Sequence, residues 1–191
     1  MHSLISRSPG SNAKRLFGMS VNENPRGQPR FAGPSRANTL AGMSLAFVMA
    51  HRVAEAGNVP VGAVVMVADQ VVARAGNLRE SLQDPTAHAE ILALRDASQR
   101  LGRWRLEDAT VFVTLEPCAM CASALVQARV KKVVYAATEP KTGAHQSVLR
   151  LFEGTATEVV QDASAAPESA EMLARFFQDL RQREREARNR Q

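Results

Sequence analysis

The chain has 191 residues, of which 45% are hydrophobic, and this is enough for one domain with a substantial core. The two cysteines lie three positions apart and no apolar run is long enough to cross a bilayer, so we expect neither a disulfide framework nor a membrane protein. The formal net charge of +5 suits a polyanionic partner but does not identify one.

Residues 1–40 differ in composition from the rest of the chain. They are rich in Ser, Asn, Gly, Pro and Arg and show no apolar periodicity, so we expect a disordered basic extension followed by one domain at 41–191. Glu23 is the sole acidic residue of the stretch, which leaves an organelle transit peptide as an alternative. We favour an unstructured extension and a cytoplasmic protein, with an organelle matrix as the alternative compartment.

The apolar pattern predicts strands that alternate with helices after an opening hairpin. This order indicates the α/β class, with a mixed five-stranded sheet between helices on both faces in three α/β/α layers. In chain order the predicted elements are a helix at 43–56, strands at 61–67 and 71–75, a helix from Asp84 or Thr86 to Leu101, a strand at 110–115, a helix from Pro117, strands at 132–137 and 159–161, and a helix from Pro167 to the end.

His88, Cys118 and Cys121 have the character of metal ligands. The two cysteines are three positions apart in the first turn of a predicted helix, where they share a face and where free amide groups stabilise thiolates. His88 also lies in the first turn of a predicted helix. Three protein ligands leave one tetrahedral position open, as in catalytic zinc sites, so we expect one Zn²⁺ per subunit.

Glu90 follows His88 by two positions, and on a helix such neighbours face in nearly opposite directions. Glu90 is therefore a poor second ligand, but from the start of a helix it can reach a water molecule at the open zinc position and carry its proton. A redox pair of cysteines is one competing interpretation. A structural zinc site with a fourth ligand such as His51 or His145 is another.

The segments Asp84–Glu90 and Thr114–Cys121 together read H-x-E and P-C-x-x-C, and in them the chain resembles the cytidine/deoxycytidylate deaminase superfamily. Val59–Val64 and Pro140–Ala144 narrow the resemblance to the bacterial tRNA adenosine deaminases. The resemblance implies a cytidine-deaminase-like fold and zinc-dependent hydrolysis of adenosine to inosine at wobble position 34 of an arginine tRNA with an ACG anticodon. A zinc-dependent deaminase of free guanine, cytosine or a nucleoside is the alternative, and a catalytically silent RNA-binding protein is a third.

The same resemblance implies a homodimer that binds the tRNA anticodon stem-loop, with Glu90 as the proton shuttle. It assigns substrate-binding roles to Asn77 beside the flipped base, to Val59, Ala89, Leu115 and Pro117 around the base, and to Glu139 and Lys141 near the RNA backbone. Four residues of this region differ from those usual in the family, namely Thr138, Glu139, His145 and Gln146.

The last predicted helix is rich in arginine, at positions Arg175, Arg181, Arg183, Arg185, Arg188 and Arg190. With a tRNA substrate we expect some of these side chains to contact phosphate groups. The competing interpretation is a solvated helix whose arginines pair with Glu184 and Glu186.

Overall fold

The structure is a computed structural model that describes residues 36–189. The predicted extension at 1–40 lies outside this range except for 36–40, which belong to the first helix. No helix of the described range is both long and apolar enough to cross a membrane. The elements are α1 (Arg36–Glu55), β1 (Gly62–Val67), β2 (Gln70–Gly76), α2 (Arg79–Leu82), α3 (Ala89–Leu101), β3 (Ala109–Leu115), α4 (Ala119–Gln127), β4 (Lys132–Ala137), β5 (Glu158–Gln161) and α5 (Ala166–Arg188).

The strands form one mixed sheet in the order β2-β1-β3-β4-β5. Strand β1 is antiparallel to both β2 and β3, whereas β3 and β4 as well as β4 and β5 are parallel pairs. Ala68 and Asp69 connect β1 to β2 with positive φ angles of 47° and 65°, which suits the tight turn of a hairpin. The predicted five-stranded mixed sheet with an opening hairpin is therefore confirmed.

Helices cover both faces of the sheet. Val64, Phe112 and Val134 are register partners on neighbouring strands, and all three belong to a core that includes Met43 and Phe47 of α1. The core of the opposite face combines side chains of α3, α4 and the sheet, among them Ala93, Leu94, Ala122, Leu125, Val65, Val111 and Val133. Because alternate strand residues point to opposite faces, the sheet separates two helical layers, as the sequence predicts.

Gly62 marks the place where α1 comes closest to the sheet. A Cβ atom at this position would lie 2.0 Å from the backbone oxygen of Ala46 and 2.8 Å from the backbone nitrogen of Ala50. Only glycine permits this approach, because backbone atoms of a packed helix cannot move aside. The contact holds the start of β1, where the carbonyl of Val61 accepts a hydrogen bond from the amide of Asn77 at 2.8 Å.

Helix α3 begins at Ala89, later than the predicted start at Asp84 or Thr86. Asp84 does not cap the helix, because its carboxylate accepts hydrogen bonds from the amide and the hydroxyl of Thr86 at 2.8 and 2.7 Å. These bonds close a turn before the helix, and His88 becomes the residue that immediately precedes it.

Helix α4 likewise begins two residues later than predicted, at Ala119 rather than Pro117, so that Cys118 immediately precedes it. Helix α1 differs in the opposite direction, since it starts at Arg36 and not at Met43. The segment between β2 and α3, for which the sequence predicts no element, contains the short helix α2. These shifts leave the fold unchanged, but they place a histidine and a cysteine at equivalent helix starts.

Candidate metal centre and active site

His88, Cys118 and Cys121 form a compact group, with all ligand atoms within 4.8 Å of one another. Nδ1 of His88 lies 3.7 Å from Sγ of Cys118 and 3.6 Å from Sγ of Cys121. Tetrahedral zinc, with bonds of about 2.3 Å to sulfur and about 2.1 Å to nitrogen, separates such atoms by about 3.6 Å. The group therefore fits a tetrahedral metal ion. Among the described residues, neither His51 nor His145 joins it, so one position stays open.

The ligands come from the starts of two helices. His88 precedes α3 with φ −72° and ψ 152°, and Cys118 precedes α4 with φ −71° and ψ 173°. Neither side chain makes a capping hydrogen bond, so both remain available to a metal. Cys121 is the third residue of α4 and is fully buried. Unpaired amides and the helix dipole favour anionic ligands at such positions.

The pKa values of the two thiols shift in opposite directions. A hydrogen bond with Cys121 is the main reason that the pKa of Cys118 falls to about 4. The same bond raises the pKa of Cys121, and the burial of that thiol raises it further. Two thiolates this close repel each other, so both can be ionised together only beside a cation. The chemistry of the donor set is that of a metal site.

Glu90 lies directly against this ligand group. Its side chain is only 4% exposed, and its proximity to the Cys121 thiol helps to raise the pKa of that thiol. Burial raises the pKa of Glu90 above its ordinary value, since the ionised form loses its hydration. A buried carboxyl group beside an open coordination position is placed to exchange protons with a molecule bound there.

Asn77 is brought to the same region by backbone hydrogen bonds. Its amide donates to the carbonyl of Val61, and the next residue, Leu78, donates to the carbonyl of Ala87 at 2.9 Å. The Asn77 side chain is largely buried, and its Oδ1 accepts a hydrogen bond from the amide of Arg79 at 3.2 Å. The Nδ2 group remains as the donor that this side chain can offer to a ligand.

The other predicted pocket residues differ in their burial. Ala89 and Pro117 are buried, and each is next in sequence to a metal-ligand candidate. Val59 and Leu115 are half-buried and pack against the core between the sheet and the helices α3 and α4. Partial exposure leaves both side chains able to contact a ligand as well as the core.

Glu116 has a role that the sequence patterns did not reveal. It directly follows β3, is 2% exposed, and uses both carboxylate oxygens as hydrogen-bond acceptors. Oε1 accepts from the amides of His145, Gln146 and Ser147 at 2.9, 2.9 and 3.2 Å. Oε2 accepts from the amide of Glu139 at 3.0 Å and from the hydroxyl of Ser147. Burial raises the pKa of this carboxyl, but the bonds lower it more, to about 2.

Residues 138–149 include the donors that bond to Glu116, and we name this segment the rim loop. It is bonded to the chain that carries the metal ligands, because Gly143 forms an isolated β-bridge with Cys118 and the amide of Ala144 donates to the carbonyl of Pro117 at 2.9 Å. Lys141 is exposed on this loop, and its amide donates to the carboxylate of Glu139 at 2.8 Å. The structure thus places Glu139 and Lys141 on a loop that borders the metal-ligand group.

A charged residue between a buried strand and a metal-ligand motif was the available signal for Glu116. Its partners, however, lie 23 to 31 positions further along the chain. Local sequence periodicity carries no information about contacts between residues so far apart. The sequence therefore indicated the P-C-x-x-C motif but not the hydrogen bonds of Glu116.

The arginines of α5 fall into two groups. Arg175 forms an ion pair with Glu171, and Nε of Arg188 donates to the backbone oxygen of Glu184 at 3.4 Å. Within residues 36–189 the structure shows no ion pair for Arg181, Arg183 or Arg185, all of which are exposed. Arg190 lies outside the described residues. Within the described residues, no ion pair joins Glu184 or Glu186 to an arginine of α5, so the competing interpretation of a neutralised helix is not supported.

Comparison with known proteins relates the site to a family. Residues 37–181 match the family model of MafB19-like deaminases. A tRNA-specific adenosine deaminase from Bacillus subtilis is 43% identical over 150 residues, which cover 76% of this chain and 92% of the relative. A structure from a study of A-to-I editing by tRNA:A34 deaminases at the wobble position has a TM-score of 0.68 and 43% identity, and the match covers 70% of this chain and 99% of that chain.

The chain also resembles a guanine deaminase from Bacillus subtilis, although less completely. That structure has a TM-score of 0.51 and 37% identity, and the match covers 52% of this chain and 64% of that chain. The likeness to the tRNA-specific deaminases extends over more of both proteins. On its sequence, its five-stranded sheet and its His-Cys-Cys group, the chain belongs to the tRNA-specific adenosine deaminase family of MafB19-like deaminases.

Proposed function

We propose that this protein hydrolyses adenosine to inosine at wobble position 34 of an arginine tRNA with an ACG anticodon. The observation that carries the proposal is the open three-ligand group of His88, Cys118 and Cys121 with the buried carboxyl group of Glu90 against it. The 43% identity to a protein named tRNA-specific adenosine deaminase supports tRNA as the substrate class.

We propose that the three ligands hold one zinc ion per subunit. One imidazole and two thiolates are a donor set that suits zinc, and the separations of their atoms fit its tetrahedral bond lengths. Zinc at this place supplies the Lewis acid that makes a water molecule nucleophilic at neutral pH. His88 and Cys118 present their side chains without rearrangement, since neither is used to cap its helix.

Glu90 moves the protons of the reaction. It takes a proton from the attacking water and delivers it to N1 of adenine while the water oxygen bonds to C6. Glu90 then takes the remaining proton from the C6 hydroxyl and passes it to the exocyclic amine. The C6–N6 bond breaks as the C6=O bond of inosine forms, and ammonia leaves. The burial of this carboxyl group limits proton exchange with bulk water during these steps.

The target base has to leave its stack to reach this carboxyl group, because C6 of a stacked base is inaccessible. Asn77 holds the flipped base through its donor Nδ2, while Oδ1 accepts a hydrogen bond from the amide of Arg79, which orients the side chain. The base lies among the side chains and backbone of Val59, Ala89, Leu115 and Pro117. These four residues adjoin the metal-ligand segments or pack on the core beneath them.

We propose that the rim loop and α5 contact the RNA outside the pocket. Lys141 offers an exposed cation next to Glu139 at the border of the metal-ligand group. Arg181 and Arg185 are four positions apart on α5, so they share a face and can meet neighbouring phosphates. Their lack of recorded ion pairs within the described range supports this role over that of a neutralised helix.

We propose that the enzyme acts in the cytoplasm, with an organelle matrix as the alternative. Cys118 and Cys121 are both free thiols in the structure, as a metal site in a reducing compartment requires. A relative named as chloroplastic, 48% identical over 112 residues, keeps the organelle alternative open.

We propose that the protein is a homodimer. A groove of about 600 Å³ lies between α3 and α4, the helices that begin next to His88 and Cys118. It is lined by Ile91 of α3, Ala124 of α4 and the exposed ring of Trp104, which follows α3. Sedimentation equilibrium should give twice the chain mass, and a monomer at micromolar concentration would contradict the dimer.

Replacement of a ligand should remove the metal. We expect Cys118→Ala to reduce zinc from about one ion per chain to nearly none, because two remaining ligands hold zinc weakly. His51→Ala is the control, since His51 is exposed and outside the ligand group. Metal analysis of the purified proteins gives the result, and full zinc content in Cys118→Ala would contradict the ligand assignment.

Replacement of the proton carrier should leave the metal and abolish turnover. We expect Glu90→Gln to retain zinc and to lower kcat by about a thousandfold, whereas Glu107→Gln on the surface keeps full activity. The assay measures inosine at position 34 of the arginine tRNA, beside ammonia release from free adenosine, cytidine and guanine. Turnover of a free compound with unchanged tRNA would identify a metabolic deaminase instead.

Removal of the two arginines of α5 should weaken RNA binding through charge alone. We expect Arg181→Ala combined with Arg185→Ala to raise Kd for the anticodon stem-loop and to reduce the slope of log K against log salt by about one to two. Arg175→Ala is the matched control on the same helix, because Arg175 is paired with Glu171. An unchanged slope in the double variant would show that these arginines do not contact phosphate.

A further inference from the structure

We propose that Glu116 is a positioning residue, whose carboxylate holds the rim loop in the conformation that receives the substrate. The proposal rests on the proposed function for the nature of that substrate. Glu116 does not belong to the metal-ligand group and has no part in the proton transfers described above. It acts through the loop, because its bonds go to residues 139–147.

The bonding pattern requires a carboxylate. Both oxygens of Glu116 receive donors, Oε1 three amides and Oε2 one amide together with the Ser147 hydroxyl. A glutamine has nearly the same shape but carries an amide nitrogen in place of one oxygen. That nitrogen would face N–H and O–H donors and could not accept from them. Shape alone therefore does not explain this residue.

The charge of Glu116 is balanced by the loop and not by a basic side chain. Within residues 36–189 no lysine or arginine forms an ion pair with it. Four backbone N–H groups converge on one carboxylate, as in an anion-binding nest. The loop conformation thus depends on the carboxylate, because without it these four amides lose their common acceptor.

Close packing around Gly143 also supports the role of Glu116 in positioning the loop. A Cβ atom at Gly143 would lie 2.5 Å from the backbone oxygen of Glu139 and 2.6 Å from Cδ of Glu116. The loop therefore closes over the carboxylate with no space for a side chain at Gly143. At the same residue it pairs with Cys118, so the position of the loop is set relative to the metal-ligand chain.

An ordered rim loop affects how easily the substrate binds. Lys141 lies two residues from Glu139 in the bonded part of the loop, and both border the metal-ligand group. A loop that is already ordered loses less conformational entropy when it binds a ligand. Glu116 therefore lowers the cost of substrate binding and leaves the chemical step to Glu90 and the metal ligands.

The test compares Glu116→Gln with the unaltered full-length protein in the zinc-loaded form. We expect KM for the anticodon stem-loop to rise about tenfold while kcat changes less than about twofold. Hydrogen exchange should become at least about tenfold faster at the amides of 139 and 145–147, and zinc content should stay the same.

Two further variants complete the comparison. Ser147→Ala removes one donor to Glu116 and should raise KM in the same direction by a smaller factor, which keeps the test valid if Glu116→Gln does not fold. Glu153→Gln is the matched control, because it makes the same chemical change at an exposed residue that pairs with Arg150.

Several outcomes would overturn the inference. Faster exchange with an unchanged KM would mean that Glu116 stabilises the loop without serving the substrate. Loss of zinc with a fall in kcat would mean that it acts on the metal centre. An unchanged KM in a soluble Ser147→Ala would overturn the inference if Glu116→Gln does not fold. Absence of inosine with the unaltered protein would instead refute the proposed function.

Discussion

Helices α3 and α4 pack side by side on one face of the sheet, and this packing is the constraint on which the metal-ligand group depends. His88 and Cys118 belong to different helices, 30 positions apart, yet their ligand atoms lie within 4 Å of each other. Small residues allow the helices to lie close to the sheet, since Ala89, Ala93 and Ala122 are fully buried. A larger side chain there would move one helix start away from the other, and the three ligand atoms would no longer surround one ion.

The site holds several thiol and carboxyl groups away from bulk water, and nearby hydrogen-bond donors stabilise their ionised forms. Helix starts provide unpaired amides around Cys118, and the rim loop provides amides around Glu116. Glu90 has fewer such partners, so burial raises the pKa of its carboxyl group while that of Glu116 falls. Two glutamates in neighbouring segments thereby acquire different chemistry, one suited to carrying a proton and the other to remaining a permanent anion.

A shared fold does not by itself select the substrate, since a guanine deaminase also resembles this chain. We propose that selection resides in the segments that surround the metal-ligand group, above all the rim loop and α5. The loop tolerates the unusual His145 because its bond to Glu116 comes from the backbone. The His145 ring packs edge-on against Tyr135 and Phe152. Side chains of the loop can therefore vary while its course past Cys118 stays the same.

The sequence alone determined the fold class and the ligand set, because both depend on short-range patterns. Short runs of apolar and β-branched residues predict the strands, and H-x-E with P-C-x-x-C predicts ligands in the first turns of helices. The tertiary structure decided what depends on distant partners. It placed the start of α3 at Ala89, after a turn closed by Asp84 and Thr86, and the start of α4 at Ala119, after the β-bridge between Cys118 and Gly143. It also decided which arginines of α5 remain unpaired and that Glu116 bonds to residues 23 to 31 positions away, which no local pattern encodes.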